Sequence, residues 1–254
     1  MTRRLRPAFA LLLGLLAGAA DRPPLASTPL SRMDLPWWRA RFEQKQTELH
    51  AGRVDLVFYG DSITQDYELA GPEPWRNFRP VWNRYYGDRH AVNLGFKGDS
   101  TAHLLWRVEH GEAEGIAPKV AVVLIGANNF GRVHWPAEPT LAGIDADVAA
   151  IRRHLRGAKI LLLSVLPSER SAWVSENTAA VNRMLAERYP KGSDVTFLDL
   201  TGVFTSDGRL NRDLFYDPLL SPPEPPLHPT AEGQARMAAA IEPTLAALFG
   251  DRPH

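Results

Sequence analysis

Five short, nearly unbroken apolar runs punctuate the chain: Val54–Tyr59, Ala91–Leu94, Val120–Ile125, Ile160–Val165 and Val195–Leu200. Runs of this length that do not alternate with polar residues predict strands buried on both faces, as in a parallel sheet. Between them the spacing changes to three and four. Ser100–Glu109 carries Leu104, Leu105 and Val108, Leu141–Leu155 carries Ile144, Val148 and Ile151, and Glu176–Tyr189 carries Val181, Met184 and Leu185. Each reads as an amphipathic helix, and a last helix is predicted over 231–248. Ahead of the first strand, Asp34 is the expected N-cap of a helix that buries Trp37, Trp38, Phe42 and Leu49. Strand and helix alternating about five times predict a doubly wound, three-layer α/β/α domain spanning residues 34–254, with no internal repeat and no second domain boundary. Asp217–Pro229 breaks the pattern, with six prolines in thirteen residues, and is expected to be an extended, irregular loop.

The first thirty residues follow another pattern. Arg3, Arg4 and Arg6 precede the apolar run Ala8–Leu16, and Ala17-Gly18-Ala19 follows. A charged start, an apolar core and a small-residue end match a secretory signal over residues 1–20. A retained anchor is the rival, but the run is short of the roughly 20 residues a spanning helix needs. The expectation is export to a periplasm or the cell exterior, without stable membrane insertion after cleavage, and a mobile Pro-rich linker over residues 21–33. The chain has no Cys, so an exported form relies on its core alone. Its 29 basic and 29 acidic residues give no net charge, which removes the general electrostatic case for a nucleic-acid partner.

Sites in open α/β sheets lie beyond the carboxyl ends of the strands. There the sequence places Gly60-Asp61-Ser62 after the first strand, Gly95 and then Gly98-Asp99-Ser100 after the second, and Gly126-Ala127-Asn128-Asn129 after the third; Leu227-His228-Pro229 precedes the last helix. Each group alone reads as turn or cap chemistry. Together they supply a hydroxyl, an imidazole that can take its proton, and donors for an oxyanion, which is what ester cleavage requires. The remaining histidines lack metal-ligand spacing, G-x-G-x-x-G is absent, and no metal or other cofactor is expected. Asp61 and Asp99 read as loop-fixing residues, while Phe130 and Trp135, just past Asn128, are candidate pocket walls.

These blocks resemble the SGNH, or GDSL-type, hydrolases, whose four naming residues match in order as Ser62, Gly95, Asn128 and His228. The resemblance runs through Val57–Gln65, Asn93–Asp99, Leu105-Trp106-Arg107, Glu109–Glu112, Ile125–Asn129 and Leu227-His228. Within the family it looks closest to the branch holding the catalytic subunits of platelet-activating-factor acetylhydrolase. The resemblance implies a flavodoxin-like sheet and a metal-free serine esterase favouring short acyl groups. Ser62 would be the nucleophile and His228 the general base, with the oxyanion held by the Ser62 and Gly95 N–H groups and the Asn128 amide. The family usually carries an Asp three residues before the histidine, and here that position is Pro225. Glu224 is placed first as the orienting carboxylate and Asp217 second, with a Ser–His dyad as the third arrangement.

The reading is an exported esterase that removes acetyl or similar groups from a small-molecule or carbohydrate ester. An acyltransferase using the same acyl-enzyme, and a non-catalytic polysaccharide-binding protein on the same fold, are the alternatives. Oligomeric state is not legible in the sequence.

Overall fold

All five apolar runs become strands of one parallel sheet in the computed structural model, which describes residues 23–254. They are β1 (Leu56–Gly60), β2 (Ala91–Gly95), β3 (Val120–Leu124), β4 (Lys159–Leu163) and β5 (Val195–Leu198), in the order β2-β1-β3-β4-β5. The residues read as a signal segment lie outside those described. Every residue of β1 and β3 is buried, which accounts for their continuous apolar runs. The strand order reverses between β1 and β3, the position at which a crevice opens in doubly wound sheets.

The helices are α1 (Pro36–His50), α2 (Ser62–Gln65), α3 (Arg79–Tyr86), α4 (Thr101–Arg107), α5 (Ala127–Gly131), α6 (Ala137–His154), α7 (Ala172–Arg188), α8 (Thr201–Phe204) and α9 (Ala231–Phe249). Alternate strand residues point to opposite faces. Val57, Tyr59, Ala121 and Val123 meet α4, α6 and α7 in one core. Leu56, Phe58, Val120 and Val122 meet α3, α8 and α9 in the other. The result is the expected three-layer, flavodoxin-like α/β/α domain. A satellite cluster of Trp38, Phe42 and Phe96, with Trp106 against it, seats α1 on the rim of the layer built by α4.

Three local expectations are corrected. Asp34 does not cap α1: the helix begins at Pro36, its N-cap is Leu35, and no side chain caps it. Proline is tolerated there because it removes an N–H that would be orphaned in any case. Trp37 is exposed, with the Arg32 guanidinium over its ring at 5.2 Å, while Trp38 is fully buried and donates to Asp99 Oδ1 at 2.9 Å. Residues 23–33 are not a mobile linker. Ala26 is buried, its carbonyl accepts from Thr101 Oγ1 at 2.7 Å, Leu30 N–H donates to Ala102 O at 2.9 Å, and Arg32 pairs with Asp99 at 2.8 Å. The segment is held through its backbone and one arginine, so apolar patterning carries no sign of it.

Candidate active site

Ser62 is the first residue of α2, immediately past the end of β1. Asp61 caps that helix, its carboxylate accepting from Ile63 N–H at 3.0 Å. The Ser62 N–H therefore lies at a helix start, where backbone donors lack intrahelical acceptors. Ser62 Oγ stands 2.9 Å from His228 Nε2. His228 reaches it from the loop before α9, and Gln234 on that helix donates to Ile63 O at 2.9 Å, tying α9 to α2.

On the far side of the imidazole, Nδ1 lies 2.6 Å from Asp217 Oδ1. Asp217 Oδ2 accepts from the N–H groups of Leu227 and His228 at 2.7 and 2.6 Å. The orienting carboxylate is thus Asp217, and the preference for Glu224 is corrected. The ends of the proline loop pair with each other. Phe215 bridges Pro229, Tyr216 N–H donates to His228 O at 2.9 Å, and Thr230 N–H donates to Leu214 O at 2.8 Å. That pairing closes the eleven-residue separation and carries Glu224 out onto the exposed arch of the loop, where only its backbone N–H reaches Asp217 O, at 3.0 Å. The dyad is set aside by the same geometry.

The electrostatics follow from this chain of contacts. Burial works to raise the Asp217 carboxyl, but the hydrogen bonds from His228 and the two backbone N–H groups hold it below its ordinary value. Burial works to lower His228, yet the Asp217 hydrogen bond and charge, with Asp66 and Asp61 behind them, carry the imidazole above its ordinary 6.5. Tyr216 stacks on the His228 ring at 5.3 Å and 11°, and its hydroxyl donates to Asp66 at 2.7 Å. Sequence reasoning missed both residues; the only cue to Tyr216 is its position directly before Asp217.

Asn128 lies on α5, which follows the carboxyl end of β3. Its Nδ2 donates to Asp99 O at 3.0 Å and, at a longer 3.3 Å, to Asp61 Oδ2, and it lines the cleft beside Ser62. Gly95 does not line the cleft. Its N–H donates to Asn93 Oδ1 at 2.9 Å, and a Cβ there would stand 2.2 Å from Gln65 N, so this glycine lets α2 lie against β2. The second-block glycine that does line the cleft is Gly98, at φ +78°, and its N–H has no acceptor among the described residues. The cue was in the sequence: Gly98-Asp99-Ser100 repeats the Gly60-Asp61-Ser62 triplet.

Asp99 anchors this loop. It receives Trp38, Arg32 and Arg107, and the fully buried Arg107 also donates to Gly60 O at 3.1 Å and pairs with Glu112. One guanidinium thereby holds both the strand end before Ser62 and the loop carrying Gly98. The candidate pocket walls fall elsewhere. Phe130 is fully buried edge-on to Trp173, and Trp135 is half-buried off the cleft. The cleft of about 350 Å³ is walled instead by Lys97, Arg132, Arg170, Glu224, Pro225 and Leu227. Among the described residues no cluster of His, Asp and Glu could hold a metal ion, and no helix is long and apolar enough to cross a membrane.

Comparison with known proteins points to one family. The model of the GDSL-like lipase/acylhydrolase family matches residues 58–236. Platelet-activating factor acetylhydrolase IB subunit alpha2 of Rattus norvegicus is 33% identical over 221 residues, covering 85% of this chain and 86% of that one; the Homo sapiens protein gives the same figures. Among solved structures, a carbohydrate acetylesterase family member from Sinorhizobium meliloti superposes with a TM-score of 0.58 at 20% identity, over 78% of this chain and 99% of that one. A carbohydrate esterase family 3 protein from Talaromyces cellulolyticus gives 0.55 at 16%, over 79% and 100%. At those identities the structural matches speak to the fold.

Proposed function

Since the chain belongs to the GDSL-like lipase/acylhydrolase family and is an ester hydrolase, we propose that it removes acetyl or similarly short acyl groups from oxygen esters of carbohydrate through an acyl-Ser62 intermediate, outside the cytoplasm. The observation that carries this reading is the continuous relay Ser62–His228–Asp217. His228 Nε2 takes the Ser62 proton as Oγ bonds to the ester carbonyl carbon. The carbonyl oxygen becomes an oxyanion facing the Ser62 and Gly98 N–H groups and the Asn128 amide, which gives up its longer bond to Asp61 to meet it. The imidazolium then protonates the alcohol oxygen as the ester C–O bond breaks. Water repeats the sequence on the acyl-serine, its proton passing to His228 and its oxygen to the released acid. Asp217 keeps the ring in the right tautomer and balances its charge.

The carbohydrate assignment is supported by the walls. Apart from Pro225 and Leu227 they are polar or glycine, so the cleft offers a long acyl chain little apolar surface. Export rests on the N-terminal pattern of residues 1–20. The test is acetate release from p-nitrophenyl acetate and from acetylated methyl glycosides by the wild type and Ser62→Ala. Release by the wild type alone, with an acetyl adduct on the Ser62 peptide by mass spectrometry, is the expected result. Activity persisting in Ser62→Ala, or none in the wild type, would sink the reading.

A further inference from the structure

The catalytic steps above use Ser62, His228, Asp217, Asn128 and Gly98, and give no role to the three cations of the cleft. Lys97, Arg132 and Arg170 line the same cleft as Ser62 from different elements: the loop after β2, the end of α5 and the loop before α7. Arg132 Nη1 lies over Gly98, 3.0 Å from where a Cβ would stand. The Arg170 guanidinium fits against Gly131, donating from Nη2 to Gly131 O at 3.1 Å, while its buried Nη1 has no partner. None of the three cations is ion-paired among the described residues; Arg170 is half-buried, and most other buried or half-buried arginines there are paired. Burial pushes the Arg170 guanidinium down and the charge of Arg132 adds to it, against the pull of Asp217 and Glu224. Two carboxylates line the cleft, and Asp217 is taken up by His228 and two backbone N–H groups, which leaves Glu224 alone opposite three cations. A chain with 29 basic and 29 acidic residues gathers this excess at the mouth of its nucleophile, not by general basicity.

Unpaired cations converging on a cleft lower their free energy when an anion enters, and charge-assisted hydrogen bonds from a guanidinium to a carboxylate are among the stronger polar contacts. From this we infer that Lys97, Arg132 and Arg170 form an anion subsite, and that the acyl ester cleaved at Ser62 is carried by an acidic sugar, its carboxylate bound beside the reacting ester. The inference rests on the esterase reading. A carboxylate on a sugar is favoured over the phosphate of a lipid because the cleft offers a lipid tail only Pro225 and Leu227.

The test compares three acetate esters at low salt: acetylated methyl glucuronide, acetylated methyl glucoside and an acetylated glycerophospholipid. The expected kcat/KM for the glucuronide exceeds that for the glucoside by about ten-fold or more, and the ratio falls several-fold in about 0.5 M salt. Arg132→Gln and Lys97→Gln, which alter exposed side chains, each lower the ratio. Gly131→Ala, which displaces Arg170 without removing a charge, lowers it as well. A ratio near one in the wild type, or one that no variant changes, overturns the subsite. Preference for the phospholipid over the glucuronide overturns the acidic sugar. Failure of the esterase reading is read separately, by calorimetric titration of Ser62→Ala with the same glycosides. Tighter binding of the glucuronide, weakened by Arg132→Gln, sustains the subsite even if no ester is turned over, and equal binding of the two glycosides overturns it.

Discussion

His228 sets the working pH through its neighbours. Asp217 holds the imidazole above its ordinary 6.5, and a base must be neutral to accept the Ser62 proton. The rate therefore falls as pH drops through a value above 6.5, and the acid limb of kcat/KM is expected there. Asp217→Asn removes both the charge and the correct ring partner. Its acid limb moves to lower pH, and kcat drops by roughly 10⁴, the scale of the same change in serine proteases. Glu224→Ala leaves the acid limb in place and costs less than about ten-fold, since its carboxylate does not touch the ring. A pH–rate profile of the three proteins on p-nitrophenyl acetate checks this, and a limb that shifts in Glu224→Ala but not in Asp217→Asn would reverse the assignment.

The short elements around the nucleophile show what a pattern can and cannot carry. The strands were legible because burial on both faces demands apolar residues at every position, as in Val120–Leu124. Ser62 and Asn128 were legible because each follows such a strand, and His228 because it precedes the last helix. The Asp217–His228 contact was not, because it depends on how residues 214–216 pair with 228–230, and proline content reveals an irregular loop without its closure. Gly95 and Gly98 were confused because both lie at the end of the same apolar run, and only backbone geometry shows that Gly95 closes β2 while Gly98 lies in the loop beyond it. Their substitutions should separate. Gly95→Ala drives a Cβ into the backbone of α2, 2.2 Å from Gln65 N and 2.8 Å from Asp61 O, and is expected to cost about 3 kcal/mol of stability or more. Gly98→Ala strains a positive φ for about 1 kcal/mol but shifts the N–H that faces the oxyanion, so its main loss falls on kcat, by about 10² or more. Urea unfolding beside steady-state kinetics reads both, and a Gly98→Ala protein with normal kcat would remove that N–H from the oxyanion site.

Across the whole molecule, catalysis and stability draw on buried charge with opposite pH dependence. Asp61 and Glu112 are fully buried, and burial lifts each carboxyl to about 7, against the Ile63 N–H for the one and Arg107 for the other. Asp147, buried in α6 with neither oxygen bonded, is raised as well by the same desolvation. In the unfolded chain all three titrate near 4, so between pH 4 and 7 the native state holds protons that the unfolded state has lost. Stability then falls as pH rises through about 7, by about 1 kcal/mol each for Asp61 and Glu112 between pH 6 and 8. His228, raised above 6.5, adds in the same direction, because its contribution is present below the unfolded pKa and lost above the folded one. His103 opposes this from about pH 4 to about pH 7, since burial takes it down to about 4 from its unfolded 6.5, and between pH 6 and 8 it offsets only part of the fall. The protein should therefore be more stable at pH 6 and more active at pH 8. Urea unfolding at the two pH values measures the first and kcat/KM the second, and Asp147→Asn should narrow the stability gap by removing one titrating group. Equal stability at both pH values, or an unchanged gap in Asp147→Asn, would mean that these carboxyls are ionised in the native state and find partners or water that offset their burial.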